Sequence, residues 1–328
     1  MKALIYSSAA TVELRDVPAP EPAQNEVVVR VEAAGICGSD MHAYLGHDER
    51  RPPPLILGHE ASGVIVSGPR EGTFVAVNPL VTCGLCSYCV AGRENLCPDR
   101  QIISMPPRQG AFAELIVIPE RNLLELPAGF AFEKAAMTEP LACGWHAAKR
   151  ARKLVETVPS STTCLVIGGG AIGFGAALAL SAQGFGRITI AERNEKRRLA
   201  LRKSCAFDLI KSTDETEPGF QLIVDAHGDA LSRAAASRLA APSGIIVHLG
   251  LAGREGGLDA RRMTLQEITF IGSYTYTAED FRETFAAMTD NRLGPLDWFD
   301  QYPLEHADTV FAALRNGEIA APKVILRP

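Results

Sequence analysis

The chain has 328 residues, of which 47% are hydrophobic and 22% are charged, a composition typical of a globular protein large enough for two hydrophobic cores. Its 33 basic and 38 acidic residues leave a formal net charge of −5, which disfavours binding to a polyanion such as nucleic acid. We therefore expect a small molecule, and no nucleic acid, as the partner.

Residues 1–140 consist of short β-type segments separated by proline and glycine, such as the run Glu26-Val27-Val28-Val29-Arg30-Val31. The first six residues carry one basic side chain and a very short apolar stretch, so they predict a strand rather than a signal peptide. We therefore expect a mostly β domain here and a cytoplasmic location.

Two segments of this domain carry the residue types that zinc prefers as ligands. Cys37-Gly38-Ser39-Asp40-Met41-His42 and Gly58-His59-Glu60 each follow an apolar, strand-like run. Their spacing does not by itself bring Cys37 to His59, and a single cysteine or histidine is often a packed core residue. On the residues alone, a metal site and ordinary packing both stay open.

A more specific metal signal is the spacing C-x2-C-x2-C-x7-C, formed in a glycine-containing loop by Cys83, Cys86, Cys89 and Cys97. In a reducing compartment such clusters bind metal rather than form disulfides. Four thiolates would complete a tetrahedral zinc shell with no open position, so we predict a structural zinc site. Four unliganded thiols and an iron–sulfur cluster are the alternatives.

From about residue 141 to 290 strands alternate with helices, which is the pattern of a parallel α/β domain. The predicted strands include 164–167, 187–190 and 222–225, and the alanine-rich stretch 234–241 favours helix. Residues 158–186 carry no charge and are long enough to span a membrane, but their glycines divide them into a strand and a buried helix. We therefore predict no membrane association.

Gly168, Gly170 and Gly173 form a G-x-G-x-x-G motif directly after a predicted strand and at the start of a helix. Such glycines let the chain turn tightly and approach a pyrophosphate, whose charge meets the free amide groups of the helix. Glu192 ends the next strand and would accept hydrogen bonds from both ribose hydroxyls of NAD. Arg193 beside it would instead pair with the 2′-phosphate of NADP, so NADP stays an alternative.

The tail combines a helix candidate at 304–315 with a short strand at 323–326, too little for a domain of its own. We expect it to complete the first domain. The predicted α/β protein then has a catalytic domain of residues 1–140 and 291–328 and a cofactor domain of residues 141–290.

The four-cysteine loop, the run Gly-Ile-Cys-Gly-Ser-Asp at 35–40 and Gly58-His59-Glu60 closely resemble the zinc-containing medium-chain dehydrogenase/reductase superfamily. The resemblance covers essentially the whole chain, and Glu139-Pro140-Leu141 is similar to its sorbitol (polyol) dehydrogenase branch. It implies a GroES-like β-barrel catalytic domain, a Rossmann domain with a doubly wound parallel sheet for NAD, and one catalytic and one structural zinc ion. Such proteins are usually homodimers or homotetramers.

The resemblance also implies roles for individual residues around the catalytic zinc. Cys37 and His59 would be ligands, with Glu60 and Glu139 as the nearby carboxylates, and which of the two binds directly stays open. Glu139 is otherwise explained as a carboxylate favoured by a helix N-terminus. Asp40 matches the residue that holds the second nitrogen of the ligand histidine.

Other matched positions concern the proton, the cofactor and the substrate. Ser39 and His42 match a relay that carries the substrate proton to solvent, with turn residues as the alternative. Arg197 matches a basic position that contacts the ribose, with a solvated helix face as the alternative. Tyr44 and Tyr276 match aromatic positions that line the polyol pocket, with ordinary packing as the alternative.

The resemblance implies a zinc-dependent oxidoreductase that transfers a hydride from a secondary alcohol to NAD. Thr275 stands where sorbitol dehydrogenases have arginine, which argues against sorbitol itself and leaves sugar alcohols, aldonates such as idonate, and vicinal diols. Dehydrogenation of L-threonine is the first alternative, because those relatives share Cys-Gly-x-Asp-x-His. A non-catalytic nucleotide-binding protein on the same fold is the second.

Overall fold

The computed structural model describes residues 1–155 and 159–328, so Val158, at the start of the uncharged stretch, lies outside the described residues. The chain divides into two compact units. Unit 1 comprises Met1–Glu139, Thr277–Thr289 and Phe299–Pro328, and unit 2 comprises Pro140–Tyr276 and Asp290–Trp298. Within the described ranges, no helix combines the length and the apolar character needed to cross a membrane.

Unit 1 is built mainly from strands. These are β1 (Lys2–Ser8), β2 (Thr11–Asp16), β3 (Glu26–Ile36), β4 (Leu55–Ile56), β5 (Glu60–Ile65), β6 (Phe74–Val77), β7 (Leu80–Val81), β8 (Gln101–Ile102), β9 (Leu115–Pro119), β10 (Leu123–Glu125), β17 (Phe299–Pro303) and β18 (Lys323–Arg327). Its helices are α1 (Gly38–Tyr44), α2 (Ser87–Val90), α3 (Phe132–Ala136), α9 (Ala278–Thr289) and α10 (Ala307–Arg315).

The central strand of unit 1 is β3, whose alternating valines Val27, Val29 and Val31 point into the core, as expected for a strand with one buried face. The main sheet has the order β10-β6-β5-β3-β18-β17, with β9 also paired to β3. The C-terminal β18 lies antiparallel to β3, so that Ile325 pairs with Gly35. The tail of the chain is thus part of the sheet that carries the residues around Cys37.

Unit 2 contains β11 (Thr163–Ile167), β12 (Arg187–Ala191), β13 (Asp208–Ile210), β14 (Phe220–Asp225), β15 (Ala240–His248) and β16 (Thr269–Gly272). Its helices are α4 (Thr138–Arg152), which begins in unit 1, α5 (Ala171–Ala182), α6 (Glu195–Ser204), α7 (Ala230–Leu239) and α8 (Ala260–Leu265). All six strands are parallel in the order β13-β12-β11-β14-β15-β16, which is the order of a doubly wound dinucleotide-binding sheet.

The structure differs from the predicted cofactor domain at its C-terminal end, because α9 groups with unit 1 although it precedes residue 290. The contacts of this helix explain the difference. Phe285 packs edge-on against Phe130 with ring centroids 5.5 Å apart, and the N–H of Ala278 donates to Glu94. Burial of its apolar face against unit 1 therefore decides where the helix belongs.

Candidate metal and cofactor sites

The four cysteines of the predicted structural site lie together in the loop between β7 and β8, whose antiparallel pairing closes the base of the loop. The Sγ atoms of Cys83 and Cys89 are 3.8 Å apart, and those of Cys86 and Cys89, and of Cys97 and Cys83, are 3.5 Å apart. A tetrahedral zinc ion with ordinary Zn–S bonds places its sulfurs about 3.8 Å apart. The sulfur positions therefore fit zinc.

The local environment shifts the pKa values of two of these thiols in opposite directions. The backbone N–H groups of Leu85 and Cys86 lie 3.5 and 3.4 Å from the Sγ of Cys83, and they lower the pKa of that thiol to about 6. Burial raises the pKa of the Cys89 thiol to about 12. Four thiolates at these distances repel one another, so the fully ionised set requires a cation.

A second group of metal-ligating atoms consists of Cys37, His59 and Glu60, whose ligand atoms all lie within 4.8 Å of one another. Cys37 is the N-cap residue of α1, directly after β3, and His59 directly precedes β5. The pairing of Gly35 with Glu60 across β3 and β5 brings the two segments together. Three such ligands leave one tetrahedral position open, as in catalytic zinc sites.

The carboxylate of Asp40 organises this group from inside the protein. Its Oδ1 lies 3.5 Å from Nδ1 of His59 and accepts the N–H of Gly58, while Oδ2 accepts the N–H of Cys37. Burial raises the pKa of Asp40, but its interaction with His59, the charge of Arg51 and the hydrogen bond from the N–H of Cys37 outweigh this, so the pKa is lowered. An ionised Asp40 holds Nδ1 and leaves Nε2 of His59 for a metal.

Lys323 is a residue of this site that the sequence did not indicate. It is 2% exposed, and its Nζ donates to both carboxylate oxygens of Glu60, at 2.7 and 2.6 Å, and to the carbonyl of Ile36, at 2.9 Å. Gly35 provides the space, because a Cβ there would lie 1.9 Å from Oε2 of Glu60. The lysine appears in the sequence only as the first residue of a short apolar strand, so its partner could not be foreseen.

Glu139 lies outside the group of Cys37, His59 and Glu60 within the described residues, although it is buried in the first turn of α4. Its charge still acts at this site. Burial lowers the pKa of Lys323, but Glu60, Cys37 and Glu139 outweigh this effect and raise it. Glu60 is therefore the carboxylate that the structure brings to the ligand cluster.

The residues predicted to carry the substrate proton and to line the substrate pocket are divided between unit 1 and unit 2. Ser39 and His42 are half-buried on α1, three residues apart and thus on one face of the helix. Tyr44, at the end of α1, is buried in the core of unit 1, with its ring centroid 5.1 Å from that of Phe311. Tyr276 is fully buried at the end of a segment of unit 2. The packing of Tyr44 favours its alternative role as a core residue.

The glycine motif lies between β11 and α5 in unit 2. Gly168 has φ +101°, a value that residues with a Cβ rarely adopt, and Gly170 is the N-cap residue of α5. A Cβ on Gly173 would lie 1.8 Å from the carbonyl oxygen of Gly168. The first and last glycines are therefore required by a tight turn and by close helix–strand packing, as a dinucleotide-binding loop demands.

Glu192 is buried beside this loop. Its Oε2 accepts the N–H of Gly169 at 2.9 Å, and its Oε1 accepts the N–H of Asn194 at 2.7 Å. Arg197, near the start of α6, places a guanidinium nitrogen 3.8 Å from Oε2. The predicted ribose-binding carboxylate thus lies at the glycine motif, with the predicted basic residue next to it.

Known protein families match both parts of the chain. The family model "Alcohol dehydrogenase GroES-like domain" matches residues 23–128, and the model "Zinc-binding dehydrogenase" matches residues 171–290. A sorbitol dehydrogenase of Bacillus subtilis is 34% identical over 224 residues, which are 66% of this chain. The match spans 62% of that protein, which is less than two thirds of its length. A zinc-type alcohol dehydrogenase-like protein of Haemophilus influenzae is 32% identical over 311 residues, 89% of this chain and 88% of that protein.

Among solved structures, an Escherichia coli alcohol dehydrogenase in complex with NADH is similar to this chain with a TM-score of 0.89. The sequence identity is 26%, and the match covers 100% of this chain and 99% of that chain. Together with the two family models, this similarity confirms the predicted α/β fold class with a GroES-like and a Rossmann domain.

Proposed function

Because the chain belongs to the zinc-containing medium-chain dehydrogenase/reductase superfamily, in its sorbitol dehydrogenase-like branch, we propose that it oxidises a hydroxylated secondary alcohol with NAD. It is an oxidoreductase acting on CH–OH donors, and its cofactors are zinc and NAD(P). The observation that carries the proposal is the cluster of Cys37, His59 and Glu60, a ligand set in which His59 and Glu60 are buried and one position is left for the substrate oxygen.

When bound at this cluster, zinc supplies Lewis acidity that eases loss of the substrate hydroxyl proton, and the nicotinamide accepts the hydride. The chain's own residues prepare the site for this reaction. Asp40 keeps His59 in the ligand tautomer, and Lys323 balances the charge of Glu60. Ser39 and His42, on one face of α1, pass the proton towards solvent.

The proposed preference for NAD rests on Glu192, since a carboxylate at the ribose repels the 2′-phosphate of NADP. Glu192→Ala should weaken NAD binding about tenfold more than NADP binding, as measured by titration calorimetry with each nucleotide. Because Glu192 also accepts the N–H of Gly169, the ratio of the two affinities is the informative quantity. Glu195→Ala, on the exposed start of α6, is the matched control, and an equal loss for both nucleotides would contradict the ribose role.

The proposed substrate class is a sugar alcohol, an aldonate or a vicinal diol. Thr275 supports this class, because its buried hydroxyl oxygen has no hydrogen-bond partner among the described residues and is available to a ligand hydroxyl. Its φ of +45° is unfavourable for a β-branched residue, and such strain is commonest at functional sites.

Assembly as a homodimer or homotetramer and a cytoplasmic location stay predictions.

The experiment that tests the proposal measures NADH formation with a panel of sugar alcohols, aldonates, vicinal diols and L-threonine. Each assay is run before and after a chelator removes the labile zinc. Turnover of one polyol that chelation abolishes and zinc restores is the expected result. Turnover of threonine alone would establish the alternative substrate, whereas no turnover by a zinc-loaded, NAD-binding protein would favour the non-catalytic alternative.

A further inference from the structure

A second oxygen, besides that of Asp40, faces Nδ1 of His59. The Oγ of Ser104 lies 3.4 Å from Nδ1, compared with 3.5 Å for Oδ1 of Asp40. Ser104 and Asp40 are each 0% exposed, so water does not compete for these contacts. The Asp40 carboxylate only accepts hydrogen bonds and so favours a proton on Nδ1; the Ser104 hydroxyl, which can donate or accept, then serves as a second acceptor there. This leaves the Nε2 lone pair for a metal.

Ser104 has an unusual backbone conformation. Its φ is +68°, in the left-handed region that is unfavourable for residues with a Cβ. It follows β8 by two residues, and the turn around it is closed by the N–H of Met105, which donates to the carbonyl of Ile102. A buried serine keeps such a conformation only where its surroundings impose it.

Arg51 supplies that constraint. Its side chain is 4% exposed, and its Nε donates to the carbonyl oxygen of Ser104 at 3.0 Å and lies 3.4 Å from Oγ of the same residue. The guanidinium is itself held, because another of its nitrogens donates to Oδ2 of Asp48 at 2.6 Å. The charged, hydrogen-bonded Arg51 therefore anchors both the backbone and the hydroxyl of Ser104.

We propose that Ser104, anchored by Arg51, is a positioning residue that sets the orientation and tautomer of His59 at the catalytic metal. This inference rests on the proposed function, because it assigns His59 to the metal. Asp40 provides a charged acceptor at Nδ1, and Ser104 adds a neutral one from a different segment of the chain. Partners of this kind commonly change metal affinity 10- to 100-fold when they are removed.

The segment that carries Ser104 is also connected to the four-cysteine loop. Ser104 follows β8, and β8 pairs with β7 at the base of that loop. The backbone that the structural metal would order thus continues directly into the segment that faces His59. Nothing in the spacing of the cysteines alone indicates this connection.

The test measures metal binding rather than turnover. The labile zinc is exchanged for Co²⁺ in the full-length wild type, Ser104→Gly and Arg51→Lys, and the visible cobalt spectrum and the competitive zinc affinity are recorded. Ser104→Gly should weaken zinc at the catalytic site by about 10- to 100-fold and shift the cobalt spectrum. Its melting temperature should not fall, because glycine tolerates a positive φ. Arg51→Lys should change both quantities in the same direction but less.

Ser243→Gly is the matched control, since Ser243 is an exposed serine with φ +57° in unit 2, and it should leave metal affinity and spectrum unchanged. Wild-type affinity and spectrum in Ser104→Gly would overturn the positioning role while the proposed function stands. A lower melting temperature without a change in affinity would do the same, since it indicates a purely structural serine. Absence of a second metal ion in the wild type would overturn both proposals.

Discussion

The two metal-ligating clusters of unit 1 are built in opposite ways. In the four-cysteine loop, every ligand comes from the fifteen-residue segment Cys83 to Cys97, and Leu85 between them is 86% exposed. In the second cluster, Cys37 directly follows β3 and Glu60 begins the neighbouring strand β5. Asp40 and Lys323, which are almost completely buried, lie beside them. The first site depends on local spacing, and the second depends on the packing of the whole unit.

This difference has a chemical consequence. Four thiolates close a tetrahedral shell and keep a loop in place, whereas three ligands of mixed type leave a position for a reactant. The second cluster also requires buried charges, which are stable only when each has a partner. We therefore expect loss of a metal ligand at the second cluster to affect mainly the chemistry, and loss of a metal ligand at the first to affect mainly stability.

The largest expected effect is that of Cys37→Ala. Loss of this ligand should lower kcat at least about 1000-fold, because Lewis-acid stabilisation of the reaction contributes several kcal/mol. The zinc content should fall from two to one per chain while NAD binding stays unchanged. Cys205→Ala, a half-buried cysteine outside both clusters, is the control, and substantial activity in Cys37→Ala would refute the catalytic assignment.

A second test concerns the buried ion pair of the second cluster. Lys323→Met leaves Glu60 without its ammonium partner and should lower the free energy of unfolding by about 3–5 kcal/mol. Chemical denaturation monitored by circular dichroism gives this value. The double variant Lys323→Met/Glu60→Gln should recover part of the loss, since it removes the unpaired charge. Equal stability of the single and the double variant would show that the unpaired charge of Glu60 is not the cause of the loss.

Loss of a ligand from the first cluster should mainly lower the stability of the protein. Cys97→Ser removes one of four ligands and should cost about 3 kcal/mol, which corresponds to a decrease of about 10 °C in Tm. Zinc content should fall together with Tm, whereas kcat at low temperature should change much less than in Cys37→Ala. A variant that keeps two zinc ions and the wild-type Tm would contradict the structural role.

The smallest expected effect concerns the reactivity of the four cysteine thiols of the first cluster in metal-free protein. Because backbone N–H groups lower the pKa of Cys83 to about 6, this thiol is ionised above that pH in metal-free protein. We expect alkylation of Cys83 to reach half its maximal rate near pH 6, while Cys89, with its raised pKa, reacts slowest at neutral pH. Peptide mass spectrometry after labelling across a pH series measures this, and equal rates for all four thiols would contradict it.

Much of the fold followed from local patterns. The predicted strands 164–167, 187–190 and 222–225 lie within β11, β12 and β14. The alanine-rich stretch 234–241 was predicted as helix, and this was wrong for its last two residues. There β15 begins at Ala240, because pairing with β14 overrides helix propensity.

The sites also differ in how far the sequence alone predicts them. Cysteine spacing and the glycine motif determined a four-thiol loop and a dinucleotide turn from the sequence alone, because their geometry is set within a few consecutive residues. Only the tertiary structure decided that Glu60, rather than Glu139, joins Cys37 and His59, and that Lys323 and Ser104 lie beside them. These contacts join residues far apart in the chain, and strand pairing and burial, which no local pattern encodes, bring them together.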